Sequence, residues 1–78
     1  MKAVLYSKDQ CQWCDRTKQL FDSVKIDYTE YKYGLDFDKK SFYSEFGEGA
    51  TFPQVQIDAK HIGGCKETLQ YLQRKKLI

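Results

Sequence analysis

The stretch Ala3-Val4-Leu5-Tyr6-Ser7, followed by Lys8-Asp9-Gln10 and then Cys11-Gln12-Trp13-Cys14, decides the fold of this chain. Val4, Leu5 and Tyr6, flanked by Ala3 and Ser7, make a short strand-favouring run. Such continuous runs suit a strand buried on both faces, as in parallel sheets. Polar Lys8-Asp9-Gln10 breaks the run. From Cys11 the period changes, and Trp13, Thr17, Leu20, Phe21 and Val24 fall along one side of a helix. The spacing predicts a helix that opens at the cysteine pair, directly after the first strand.

Outward from there, Ile26 to Tyr31 alternates in polarity and predicts a second strand, punctuated by Gly34 and Asp36. Asp38 is a candidate N-cap for a second helix carrying Phe42 and Phe46 on one side and stopping at Gly47. Gly47-Glu48-Gly49 reads as a loop. After Pro53, Gln54 to Ile57 predicts a strand, Asp58-Ala59-Lys60 a tight turn, and His61-Ile62 a short returning strand ended by Gly63-Gly64. A last helix follows, with Cys65, Leu69 and Leu72 expected on its buried face. The order β-α-β-α-β-β-α is that of a small mixed α/β layer structure, and residues 1–78 are expected to form one domain.

Composition narrows the function classes. A hydrophobic share of 41% with one Pro and five Gly describes a chain able to bury a modest core rather than a disordered tail. The formal net charge of +2 lacks the gathered basic excess of nucleic-acid binders, so none is expected as a partner. Arg74, Lys75 and Lys76 read as a solvated helix end, where cations suit the dipole. No segment approaches the roughly 20 apolar residues of a membrane span, and Ala3–Tyr6 is too short for the apolar part of an export signal. Three cysteines are an odd count for a closed disulfide framework. A reducing cytoplasm is therefore the expected setting, where a close cysteine pair is more often catalytic or metal-binding than structural.

Two cysteines three apart at a strand-to-helix junction carry a specific chemistry. A thiol at a helix N-terminus sits where unpaired N–H groups and the dipole favour negative charge, and such positions lower a cysteine pKa to about 3.5–7.5. Lys8, in the preceding loop, adds positive potential. Cys11, the more exposed of the two, is the expected nucleophile, and Cys14, one turn in, the thiol that resolves a mixed disulfide. Half a zinc site has the same spacing, but only His61 and Cys65 remain as partners, four apart on a strand and a helix start. Redox work is favoured over a metal site and over inert core cysteines, and no metal is expected.

The cysteine pair, Thr51-Phe52-Pro53 and His61-Ile62-Gly63-Gly64-Cys65, in that order, resemble the motifs of the glutaredoxin family: Cys-Pro-Tyr-Cys, Thr-Val-Pro, and Gly-Gly followed by acidic residues. The similarity runs over nearly the whole chain and is weakest between Glu30 and Gly49. It implies a four-stranded thioredoxin-like sheet flanked by three helices, and a cis peptide before Pro53. It also implies a glutathione groove. Phe52 would pair through its backbone with the cysteinyl part, and the Cys65 and Lys66 amides after Gly64 would hold the γ-glutamyl carboxylate. Lys8 and Lys40, with Lys39 the less favoured alternative, would meet the glycyl carboxylate. Thr51, Pro53 and the Trp13 ring would wall the groove.

Three departures stand out. Gln12 replaces the family Pro and frees a backbone N–H near the reactive sulfur, Trp13 replaces Tyr, and Lys66 stands where Asp is frequent, leaving the glutathione amine to Glu67. Cys65 is expected as a buried small hydrophobe of the last helix and His61 as structural. The resemblance implies a cytoplasmic, monomeric, glutathione-dependent thiol–disulfide oxidoreductase in electron transport and redox homeostasis, with glutathione as reducing co-substrate. Its protein substrates would be disulfide-containing or glutathionylated, ribonucleotide reductase among them. Two alternatives belong beside it: a glutathione-assisted [2Fe–2S] carrier, and a dithiol reductant fed by a flavoprotein reductase.

Overall fold

A computed structural model describes residues 1–77. Its seven elements follow the expected order: β1 (Ala3–Ser7), α1 (Gln12–Ser23), β2 (Tyr28–Lys32), α2 (Lys39–Phe46), β3 (Gln54–Ile57), β4 (Lys60–Gly63) and α3 (Cys65–Arg74). The four strands form one sheet in the order β2-β1-β3-β4. β1 runs parallel to β2 and antiparallel to β3, and β3 and β4 form an antiparallel hairpin. This is the thioredoxin-like fold.

Central β1 explains its own composition. Ala3, Leu5 and Ser7 are buried on one face, where Leu5 joins Phe21 of α1, Val55 and Ile57 of β3 and Leu72 of α3 in the main core. Side chains alternate across a strand, so Tyr6 faces the other way. There it packs edge-on against Phe46 of α2, ring centroids 4.8 Å apart, and against Phe37 at 5.3 Å. Thus α1 and α3 cover one face of the sheet and α2 the other.

One boundary and two helix faces differ from the sequence pattern. The second strand starts at Tyr28 rather than Ile26 because α1 ends in a left-handed turn: Lys25 has φ 58° and the Ile26 amide reaches back to the Phe21 carbonyl at 3.0 Å. In α1 the buried face is Cys14, Thr17 and Phe21, and Trp13 is 51% exposed instead of opening that face. In α3 the buried residues are Thr68 and Leu72, while Leu69 is exposed and Cys65 half-buried rather than buried.

Other signals hold. The Asp38 carboxylate accepts from the Ser41 amide at 2.8 Å and caps α2, which stops at Gly47 with φ 100°. Asp58 and Ala59, both at positive φ, make the turn that joins β3 to β4, and Lys60, expected in the turn, is instead the first residue of β4 and pairs with Ile57. The Phe52–Pro53 peptide is cis.

Candidate active site

The disulfide Cys11–Cys14 lies where β1 hands over to α1. Cys11 is the N-cap of α1, in extended conformation, and the Cys14 amide donates to its Sγ at 3.1 Å. A reduced Cys11 would therefore face a first-turn N–H and the positive end of the helix, both of which favour thiolate. Cys11 is 8% exposed and Cys14 only 1%, so an incoming sulfur reaches the first cysteine before the second.

Two clefts meet at Thr51 and Phe52; one takes in Trp13, which stands between the two cysteines in the chain, and the other Lys8 of the loop that precedes them, while Cys11 and Cys14 themselves line neither. One, of about 250 Å³, is lined by Trp13, Thr51, Phe52, Pro53, Gly64, Cys65, Lys66 and Glu67. The other, of about 410 Å³, is lined by Lys8, Tyr33, Lys39, Phe42, Tyr43, Ala50, Thr51 and Phe52. Phe42 of α2 stacks flat on Phe52 with ring centroids 4.2 Å apart, and the Lys8 ammonium lies 5.5 Å from the Phe52 centroid. Of the residues expected at the groove, Lys8, Trp13, Thr51, Phe52, Pro53, Gly64, Cys65 and Lys66 all line one cleft or the other. Lys40 does not: the lining lysine of α2 is Lys39, its Nζ held 5.8 Å from the Tyr43 ring centroid.

At the start of α3, the Gly64 amide donates to Glu67 Oε1 at 2.8 Å, so the chain's own carboxylate already takes up one of the donors there. The Cys65 and Lys66 amides follow in the first turn, where helix N–H groups have no intrahelical acceptor. Behind α1, Lys18 reaches Glu30 at 2.8 Å and Ser7 donates to the same oxygen. Burial pushes the Glu30 carboxyl up, but the Lys18 and Ser7 hydrogen bonds outweigh it and hold it below the usual range. Lys32 pairs with Asp9 at 2.8 Å. Among the described residues Lys8, Lys39 and Lys66 make no ion pair, so positive charge at the clefts stays available.

Sequence reasoning missed Tyr33 and Tyr43, which complete the larger cleft from the stretch of weakest motif signal. It also missed the link from His61 through Gln54 to the Thr51 carbonyl, with distances of 2.7 and 2.8 Å. Among the described residues no group of three or more His, Cys, Asp or Glu is placed to hold a metal ion.

The glutaredoxin family model matches residues 3–62, which span both cysteines and the Thr51-Phe52-Pro53 loop. The chain belongs to the glutaredoxin family. Glutaredoxin-C6 of Oryza sativa subsp. japonica is 35% identical over 78 aligned residues, covering 96% of this chain and 70% of the rice protein. Glutaredoxin 1 from Francisella tularensis, solved in complex with cacodylate, is 31% identical with a TM-score of 0.78, covering 97% of this chain and 95% of that one. A buckwheat glutaredoxin–glutathione complex is 32% identical with a TM-score of 0.77, covering 96% of this chain and 71% of that one. With its Cys11–Cys14 pair, this glutaredoxin is a thiol–disulfide oxidoreductase.

Proposed function

We propose that this glutaredoxin uses glutathione as its reductant, in the cytoplasm, and reduces both glutathione mixed disulfides and protein disulfides. The observation that carries the reading is the cleft between Trp13 and α3. It brings together, on one small surface, the Phe52 backbone, whose N–H and C=O are unpaired among the described residues, the helix N-terminal amides of Cys65 and Lys66, and the Glu67 carboxylate. These are a strand-like partner, an anion site and a cation site, which match the peptide backbone, carboxylate and ammonium of γ-glutamyl-cysteinyl-glycine. Lys8 and Lys39 border the adjoining cleft and suit the second carboxylate. The buckwheat relative solved with glutathione supports the same ligand.

The chemistry follows from the two thiols. The Cys11 thiolate attacks the glutathionyl sulfur of a mixed disulfide; that S–S bond breaks, and the released substrate thiolate takes a proton from solvent. A second glutathione thiolate then attacks the glutathionyl sulfur on Cys11, giving oxidised glutathione and restoring the Cys11 thiolate. With a protein disulfide, Cys14 displaces the substrate and closes the Cys11–Cys14 disulfide, which two glutathione molecules reduce back to the dithiol. A coupled assay tests the electron source. Turnover with glutathione and glutathione reductase, and little with thioredoxin reductase, is the expected result; the reverse preference overturns the reading.

A further inference from the structure

Gln54 joins two parts of the chain that the motifs treat separately. Its side chain is buried, and it donates through Nε2 to the Thr51 carbonyl at 2.8 Å while its Oε1 lies 2.7 Å from His61 Nε2. Because Gln54 spends its amide hydrogens toward a carbonyl, the His61 contact must be an N–H donated to Oε1. The His61 ring in turn rests against Phe46 of α2, centroids 4.9 Å apart. A chain of donors therefore runs from β4 through β3 into the loop beside the disulfide.

The loop's polar groups divide accordingly. Thr51 turns its carbonyl to Gln54, whereas the backbone N–H and C=O of Phe52 make no hydrogen bond within the chain among the described residues. The Thr51 C=O and the Phe52 N–H belong to one planar trans peptide and point opposite ways, so a carbonyl tethered inward turns that N–H outward, and the Phe52 C=O is linked to the same plane through the Phe52 dihedrals. We infer that Gln54 and His61 are positioning residues, which fix the Thr51 carbonyl inward and so keep the Phe52 backbone edge turned out for the substrate. They touch neither sulfur nor ligand; they act through the loop. This inference rests on the proposed use of the Phe52 edge by glutathione.

Two substitutions at His61 separate the donor from the ring. His61→Phe keeps a ring for Phe46 and removes the N–H; His61→Gln keeps a donor and removes the ring. With the glutathione mixed disulfide of 2-mercaptoethanol as substrate, His61→Phe is expected to raise KM roughly three- to tenfold, the cost of one hydrogen bond, with kcat nearly unchanged. His61→Gln is expected to stay close to the parent. Gln54→Glu, which sets a carboxylate against the Thr51 carbonyl, should resemble His61→Phe or exceed it. In nitrogen–proton NMR spectra the Phe52 amide should move in His61→Phe and not in His61→Gln. A folded His61→Phe protein with parental KM and an unmoved Phe52 amide overturns the inference, as does a KM defect confined to His61→Gln. Absence of saturable turnover in the parent would instead remove the glutathione reading, and the Phe52 shift would still test the positioning.

Discussion

Glu67 Oε1 accepts the Gly64 amide at 2.8 Å, so α3 is capped from within the cleft that its N-terminus opens onto. The carboxylate has two duties there, capping the helix and presenting negative charge to the cleft. Glu67→Gln separates them, because an amide oxygen still accepts from Gly64 while the charge is gone. The expected outcome is a nearly unchanged melting temperature and a KM for glutathione substrates raised by about tenfold or more, the scale of a lost charge-assisted hydrogen bond. Calorimetry and steady-state kinetics on the same preparation check both halves.

The two glycines before α3 should answer differently to alanine. Gly63 has φ +130°, and an added Cβ would come within 2.8 Å of the Glu67 Cβ; Gly64 has ordinary extended backbone, with its nearest backbone neighbour, the Pro53 carbonyl oxygen, at 3.4 Å. Gly63→Ala should therefore destabilise the fold by about 1–3 kcal/mol. Gly64→Ala should fold normally and weaken glutathione binding, since it crowds the Glu67 carboxylate at 3.2 Å. Chemical denaturation of both variants checks the contrast; equal midpoints would contradict it.

Legibility in the sequence follows the range of the interaction. The Asp38 cap and the Asp58-Ala59 turn were readable because each is closed by residues at most a few positions away. The start of the second strand was not, because a left-handed Lys25, without the glycine that usually announces such a turn, draws Ile26 into the end of α1. Trp13 fits the helical period of the core face, yet Cys14, Thr17 and Phe21 take that face and the exposed ring becomes a cleft wall. The cysteine pair and Thr51-Phe52-Pro53 stand as local motifs. Tyr33, Tyr43 and Lys39 do not, since only the packing of α2 on Phe52 gathers them.

Reactivity of the three thiols should differ once the disulfide is reduced. Cys11 has the Cys14 amide at its sulfur and the greater exposure of the pair, and Cys14 is sealed beneath it. Brief iodoacetamide treatment at pH 6, followed by peptide mapping, should label Cys11 well ahead of Cys14 and Cys65. Uniform labelling would remove the basis for Cys11 as nucleophile.

Acid stability should depend on Glu30. Burial raises this carboxyl and the Lys18 and Ser7 hydrogen bonds more than offset that, so its folded pKa lies below the ordinary 4.5. A carboxyl lowered by folding contributes stability above its unfolded pKa, and the contribution is lost as pH falls through the folded value. Urea midpoints measured downward from pH 6 should fall steeply below about pH 4.5 in the parent and less steeply in Glu30→Gln. Parallel curves would show that Glu30 does not set this slope.

The adjacent lysines of α2 give the sharpest test of the larger cleft, because they share a charge and a first turn and differ in what they line. Lys39 borders the cleft with Lys8 and stands over Tyr43, while Lys40, equally exposed, is not part of that wall. If the cleft receives a carboxylate of glutathione, reversing Lys39 sets a negative charge in its wall, and reversing Lys40 places one outside that wall. Lys39→Glu should raise KM for glutathione substrates about two- to fivefold at low salt, the range of an exposed ion pair. Lys40→Glu should leave it close to the parental value, and the Lys39→Glu defect should shrink as salt is added. Both substitutions change net charge equally, so a general field effect would raise KM alike in the two variants. That result would place the carboxylate elsewhere than in the cleft between Lys8 and Lys39.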